Sequence, residues 1–323
     1  QMCIRDRLNT TQDFKKYISI SANFQFADVE PFIIQAVYKF TRKYVGNLHE
    51  TLADVATGTD ANIKNTARGY LQNALANFSF FIYLPFGAVN IDSTGVNQTK
   101  NEKRENVSWG QQRDLQRTFL ENGHTAMDLL LEHLEQNKTV FPEWAENYLT
   151  TNQLIVNSTA SFQLAYNIFD SRQTYMALVP SLQQVEDQYI IRFISDALHS
   201  HLVLGELNAV QHRLKVLLQK AIVSFTVAKV CTEGLFIISP DGLKVSFTSL
   251  PNDRTQPIDY GKASEFLEQT SFNLKRNGDN YLELAKELIQ SNPDSFTDFP
   301  GALVTATPSV KAMPKDNGAV FGL

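Results

Sequence analysis

This sequence contains two versions of itself. Leu71-Gln72-Asn73-Ala74-Leu75-Ala76-Asn77-Phe78 aligns with Leu218-Gln219-Lys220-Ala221-Ile222-Val223-Ser224-Phe225 at an offset of 147, which also carries Gly87 onto Gly234 and Gly95 onto Gly242. Upstream, Phe26, Val29 and Pro31 meet Tyr175, Leu178 and Pro180 at 149, and Leu48-His49…Leu52 meets Leu198-His199…Leu202 at 150. Downstream, Asn122-Gly123 with Met127, Leu129 and Asn137 meets Asn277-Gly278 with Leu282, Leu284 and Asn292 at 155. An offset that drifts slowly while the order of features holds is what small loop insertions leave between two copies of one module. The reading is two tandem helical repeats, 10–146 and 160–301, joined by a linker over 147–159. A Pro/Gly/Ala-rich stretch without apolar period, 302–323, reads as a flexible tail.

Each copy has the same plan. Val29, Phe32, Ile33, Ala36, Val37, Phe40, Tyr44, Leu48 and Leu52 recur at three- and four-residue steps, which predicts one long amphipathic helix. Asp28 is placed to cap it, and Pro31 falls in its first turn. The second copy repeats the stripe as Leu178, Leu182, Val185, Tyr189, Phe193, Ala197 and Leu198. A second helix runs through Ile63, Ala67, Tyr70, Leu71, Ala74, Leu75, Phe78 and Ile82, with its counterpart from Val210 to Ala228. Next come Ala88–Val96 and Leu235–Val245, where Thr94-Gly95 and Asp241-Gly242 sit between β-prone residues and predict a β-hairpin. A third helical region, Trp109–Gln136 or Tyr260–Gln290, is expected to break at its Asn-Gly into a C-terminal helical pair. The fold class is therefore mainly α: two tandem copies of a domain with a long helix pair, a β-hairpin and a C-terminal helical pair.

Composition narrows the function classes. Hydrophobic residues are 43% and charged residues 20%, values typical of globular chains and far from those of a disordered tail or a coiled-coil rod. The apolar stretch Leu75–Val89 is interrupted by Asn77 and Pro85 and falls short of the roughly 20 residues of a spanning helix. A net charge of −5 without a strongly basic block argues against a phosphate-neutralising nucleic-acid binder. The first seven residues, Gln1-Met2-Cys3-Ile4-Arg5-Asp6-Arg7, back-translate to a transposase sequencing adapter and are expected to be an assembly scar, 1–7, outside the fold.

No phosphate-cradling glycine loop, nucleophile elbow, Cys-x-x-Cys or His-Glu-x-x-His run is present. His199-Ser200-His201 is the best metal-like cluster, but rings two residues apart diverge by about 200° around a helix. The repeated Leu-His-x-x-Leu reads more simply as a helix-end packing feature. The acidic pairs Glu132/Glu135 and Glu186/Asp187 fall on polar helix faces and read as solvated surface, and Cys231 as inert packing at a helix end. Lys100…Lys103-Arg104, interleaved with Glu102 and Glu105, reads as an exposed loop.

The segment Asp28-Val29-Glu30-Pro31-Phe32-Ile33-Ile34-Gln35-Ala36, running on to Lys43-Tyr44-Val45-Gly46, resembles the first long helix of tailed-phage head–tail connector proteins. Ala61-Asn62-Ile63-Lys64-Asn65-Thr66-Ala67 to Tyr83 resembles their second helix. Over nearly its whole length the chain also resembles an uncharacterised family of gut-bacterial phage and prophage proteins, through Ser171-Arg172…Pro180, Val185-Glu186…Tyr189-Ile190 and Asp241-Gly242. The connector resemblance implies a small helical subunit forming a ring beneath the portal, whereas the usual connector is a single copy.

The expected function is accordingly a non-enzymatic phage structural protein, a head–tail connector or adaptor of the virion. Its partners would be other copies in a ring, the portal and tail-completion proteins, and DNA only as passing cargo, with no membrane. Subunit contacts are expected at the hairpins: Ile91, Ser93, Gly95, Ile238, Asp241, Gly242 and Lys244. No catalytic residue, cofactor or metal is expected. Two alternatives stay open: a monomeric helical adaptor or partner-binding module, and an enzyme with a site between the repeats.

Overall fold

The computed structural model describes residues 8–21, 24–52, 54–87, 89–92, 95–98, 108–148, 153–231, 236–239, 242–245, 260–299 and 301–303. They divide into two compact units. Unit 1 comprises Gln1–Asn152, Asn167–Ala177 and Leu235–Ala263, and unit 2 comprises Gln153–Tyr166, Leu178–Gly234 and Ser264–Leu323. The described residues are mainly helical.

Helix α1 (Thr11–Lys15) opens on a capping box in which Thr10 and Asp13 satisfy each other's backbone N–H groups. Helix α2 (Phe26–Ala36) starts two residues before Asp28, so Gln25 is the N-cap and Asp28 only an acid of the first turn. The long first helix is not continuous. A π-helical turn, Val37–Thr41, inserts one extra residue before α3 (Arg42–Val45), and Gly46 ends α3 at φ 52° before α4 (Leu48–Thr51). Thr41 Oγ1 donates to the Val37 carbonyl inside that turn at 3.2 Å. Across the turn Val37, Phe40, Thr41, Tyr44 and Val45 keep the three- and four-residue steps of one helical face and are all buried. After Gly46 the buried residues are His49 and Leu52, with Leu48 only partly covered.

Helix α5 (Ala61–Gly87) is the hub of unit 1. From Ala74 to Phe81 every residue is buried, so a single-stripe amphipathic pattern does not describe it. Polar side chains there bond locally: Ser79 Oγ donates to Leu75 O at 2.6 Å and Asn77 Nδ2 to Asn73 O at 2.9 Å. Strands β1 (Val89–Asp92) and β2 (Gly95–Gln98) pair antiparallel, Val89 opposite Gln98. Helix α6 (Trp109–Gln136), capped by Ser108 with Gln111, packs along α5, and α7 (Pro142–Tyr148) sends Trp144 Nε1 to the Tyr44 carbonyl at 3.0 Å.

The second half repeats this order. Helix α8 (Thr159–Gln163) carries a capping box from Ser158, and its Phe162 is as fully buried as Phe14 of α1. Helix α9 (Arg172–Val185) runs into a second π turn, Glu186–Ile190, 149 residues after the first. Ile191–Ile194 is then non-helical until Ser195 caps α10 (Asp196–Leu204). The expected stripe therefore loses phase here: Ile190 and Ile194 are buried, Tyr189 is 39% exposed, and Ala197 faces out. Helix α11 (Ala209–Val230) is the hub of unit 2, and β3 (Phe236–Ser239) pairs antiparallel with β4 (Gly242–Val245). Helix α12 (Tyr260–Ser291) precedes a short 3-10 turn, Pro293–Phe296. Ser195 N–H donates to Ala302 O at 3.2 Å, and Ile194 bridges to Leu303, which ties the end of unit 2 to the start of α10.

The third helical region does not break. Both α6 and α12 run straight through Asn122-Gly123 and Asn277-Gly278. The glycines are there for contact. A Cβ on Gly123 would lie 2.5 Å from Cε1 of Phe78, and one on Gly278 2.6 Å from Cε1 of Phe225. Each ring in turn carries a second: Phe40 stacks on Phe78 at 4.3 Å and 11°, and Tyr189 on Phe225 at 4.4 Å and 10°. The same stack of two rings on a helix glycine thus recurs in both units, with Phe40 buried in the first and Tyr189 39% exposed in the second.

Candidate functional site

The most elaborate polar cluster in unit 1 lies where residues 167–177 cross the outer side of α6. Asn167 Oδ1 accepts from Phe169 N at 2.9 Å, and Phe169 and Asp170 take left-handed φ angles of 55° and 53°. For non-glycine residues this conformation costs roughly 1 kcal/mol or more each, so the strap is held by something stronger than its own preference. Arg172 is the main clamp. Its guanidinium lies 3.3 Å from Glu132 Oε1, 3.5 Å from Glu135 Oε2 and 3.3 Å from Asp170 Oδ2, with only 13% of the side chain exposed. It also donates to the Asp170 carbonyl at 2.9 Å. About two turns back along α6, Gln173 and His124 bond reciprocally, side chain to side chain and Nε2 to His124 O, both at 2.9 Å. Asp128 accepts from Gln173 N at 2.9 Å.

Burial pushes the Asp128 carboxyl above its usual range, against the opposing bonds from Gln173 and Ser171 and the charge of Arg172. Burial also raises Glu135, although Arg172 opposes it. The pair Glu132/Glu135 is therefore not free surface, as its place on a polar helix face suggested, because the strap brings Arg172 between the two.

A second polar knot sits in unit 2. Glu186 is buried, and its Oε1 accepts from Ile155 N at 2.8 Å and Val156 N at 3.4 Å, while Oε2 meets His199 Nε2 at 3.0 Å. The expectation of a solvated Glu186/Asp187 pair fails for Glu186, which falls four residues after the buried Leu182 on the inward face. Gln219 reinforces the knot by donating to Ile155 O at 3.0 Å. His201 instead meets Gln211 Oε1 at 3.2 Å and packs on Phe299, so the two imidazoles of His199-Ser200-His201 have separate partners. In unit 1 the counterpart of Glu186 is the apolar Val37, and His49 Nδ1 faces the Gly46 carbonyl. Among the described residues no group of three His, Cys, Asp or Glu side chains is arranged to hold a metal ion.

The α8–α11 side of unit 2 also holds an open cleft of about 330 Å³, lined by Ser161, Leu164, Leu207, His212, Lys215 and Val216. Burial lowers the Lys215 pKa there, partly offset by the Glu186 charge. Cys231 caps α11 in buried surroundings that push its thiol up to about 11.

Of the seven residues expected to make subunit contacts, Ser93 and Asp241 lie outside the described residues. Ile91, Gly95, Ile238, Gly242 and Lys244 fall on β1 to β4, whose side chains are likewise outside the description. The residues that sequence reasoning passed over are Arg172, Gln173, His124 and Asp128. Their only signal was Ser171-Arg172 standing just ahead of a repeated helix.

Among the described residues no helix is long and apolar enough to cross a membrane. No curated protein and no solved structure matches the chain. One family model matches it twice in tandem, over residues 31–152 and 178–307, and each match takes in one of the ring-on-glycine cores. The chain therefore belongs to DUF6712, a family of unknown function.

Proposed function

We propose that this chain is a non-enzymatic structural subunit of a phage virion, a head–tail connector or adaptor that assembles into a ring beneath the portal. The two repeats arose by tandem duplication of one helical module, each carrying a β-hairpin that reaches a neighbour. The observation that carries this reading is that the repeats keep one core and differ around it. The stack Phe40–Phe78–Gly123 recurs as Tyr189–Phe225–Gly278, while Glu186 replaces Val37 and Gln290 replaces Glu135 at the edges. A subunit of this kind offers two similar but inequivalent docking faces, and heterologous contacts that close into a ring would hold the assembly together. Six chains would present pseudo-twelvefold symmetry to a twelvefold portal, and the net charge of −5 suits a channel through which DNA slides without sticking.

The test is the mass and electron-microscopic appearance of the purified protein, alone and with its portal. Closed rings that bind the portal are expected, and a chain that stays monomeric in both preparations overturns the reading. A monomeric partner-binding module is the second reading, and it draws on the cleft beside His212 and Lys215. It predicts a partner bound to a monomer with no ring.

A further inference from the structure

The two repeats treat the same helix face differently. On α6 that face holds His124, Asp128, Glu132 and Glu135, and the strap covers it with Ser171, Arg172 and Gln173. At the repeat offset of 155 the α12 counterparts are Asp279, Glu283, Glu287 and Gln290, all exposed. Phe272 lies on the same side, toward the start of the helix from Asp279, and is 61% exposed. By contrast the buried side of α12 is a narrow line of small residues, Ser271, Gly278 and Ala285, closed by Ile289. Ser271 Oγ donates to Ala228 O at 2.8 Å, so this line is the one laid against α11.

The open face is costly as it stands. Asp279, Glu283 and Glu287 follow at four-residue spacing, so like charges repel along one side of the helix. Glu287 also lies one turn from the C-terminus of α12, where the helix dipole disfavours a carboxylate. Arg276 shares the face, and Lys286 meets Glu283 at 3.4 Å with both side chains well exposed, a contact of the kind that contributes little. The face remains net negative, with an aromatic ring at its edge.

A surface of the opposite character lies on the first long helical stretch of the chain. Ile34 and Tyr38 are 42% and 48% exposed, and Lys39, Arg42 and Lys43 are exposed beside them. Lys39 lies over the Phe40 ring at 5.3 Å and Arg42 over Tyr38 at 5.2 Å. Among the described residues no carboxylate is within ion-pair distance of either Lys39 or Arg42. In the second repeat the counterparts of Tyr38, Lys39 and Arg42 are Asp187, Gln188 and Ile191, so this basic face exists once per chain.

We propose that the α12 face of one chain receives the Ile34–Arg42 face of a second copy. The acids Asp279, Glu283 and Glu287 would meet Lys39 and Arg42, with Phe272 against Tyr38 and Ile34. Within unit 1 the corresponding acidic face of α6 is likewise met by a basic side chain, Arg172 at the start of α9. The contact is head-to-tail and rests on the reading that the chain self-assembles. It adds which surfaces touch.

The experiment uses two charge-reversed full-length chains, Glu283→Lys/Glu287→Lys and Lys39→Glu/Arg42→Glu, with mass read by light scattering and fold by circular dichroism. All four positions are exposed. Each variant alone places like charges at the contact, so its apparent dissociation constant is expected to rise by at least about tenfold. An equimolar mixture pairs opposite charges at every contact and is expected to restore assembly. If the wild type assembles and both variants assemble equally well, or if the mixture fails to recover, the assignment of these faces is overturned while ring formation stands. If the wild type itself never associates, both readings fall together.

Discussion

Replacing the two core glycines by alanine tests the duplicated packing most directly, because the repeats make the same substitution in different surroundings. Gly→Ala inside an exposed helix normally stabilises by about 1 kcal/mol. At Gly123 the new methyl would stand 2.5 Å from Cε1 and 2.6 Å from Cδ1 of Phe78. That ring is fully buried, with Phe40 stacked on it at 4.3 Å and His124 edge-on at 5.0 Å, so it has nowhere to go. Overpacking of a rigid core costs about 1–3 kcal/mol, and the upper end applies where both faces of the ring are blocked. With the helix gain set against it, Gly123→Ala is expected to destabilise by roughly 2 kcal/mol, or about 4–8 °C in a domain of this size.

Gly278 presents a similar clash, 2.6 Å to Cε1 of Phe225, but the ring stacked on Phe225 is Tyr189, which is 39% exposed and free to yield toward solvent. Gly278→Ala is therefore expected to lie within roughly 1 kcal/mol of the parent chain. Urea denaturation gives the midpoints, and hydrogen exchange followed separately in α5 and α11 assigns each change to its unit. A stabilised Gly123→Ala would refute the idea that the glycines exist to seat these rings, and equal losses at both positions would refute the role given to the exposed Tyr189.

Glu186→Ala strips two buried N–H groups and His199 of their acceptor and is expected to destabilise unit 2 by about 3 kcal/mol, with Glu186→Gln losing less; equal urea midpoints for the alanine variant and the parent would discount the knot. Asp128 carries a pH signature. Because burial raises its folded pKa, the folded chain binds the proton before the unfolded chain does, so its contribution to stability falls as pH rises through the folded pKa and is recovered toward the ordinary carboxyl range. Asp128→Asn keeps an acceptor for Gln173 N–H and removes that dependence; a parent–variant stability difference that stays constant between about pH 4.5 and 7 contradicts the argument. Cys231, with its thiol raised to about 11, should react with iodoacetamide at about pH 7.5 at least about tenfold more slowly in the native chain than in urea, as mass spectrometry can follow.

Much of the architecture follows from local chemistry. The apolar steps of α5 and α11 act over a few residues of chain, and repetition made them legible twice. The caps at Thr10, Ser108 and Ser158 are equally local, yet the cap expected from the sequence was Asp28, which lies inside α2. The same local view misread Asn122-Gly123 and Asn277-Gly278 as breaks. A glycine that ends a helix and a glycine that admits an aromatic ring look alike until the ring arrives, and Phe78 comes from 45 residues upstream.

Two further features were decided only by packing. A π turn adds a single residue to a helix whose stripe continues on both sides, and only the backbone of Val37–Thr41 and Glu186–Ile190 and the loss of phase after Ile190 reveal it. Acidic residues at Glu132, Glu135 and Glu186 fit a solvated pattern because nothing nearby in sequence pairs with them. Their partners, Arg172 and the N–H groups of Ile155 and Val156, lie about 30 to 40 residues away. Periodicity tells a chain which side of a helix is apolar. Which charge is buried depends on what the rest of the chain brings against it, because the cost of burying a carboxylate is met only by specific donors arriving in space.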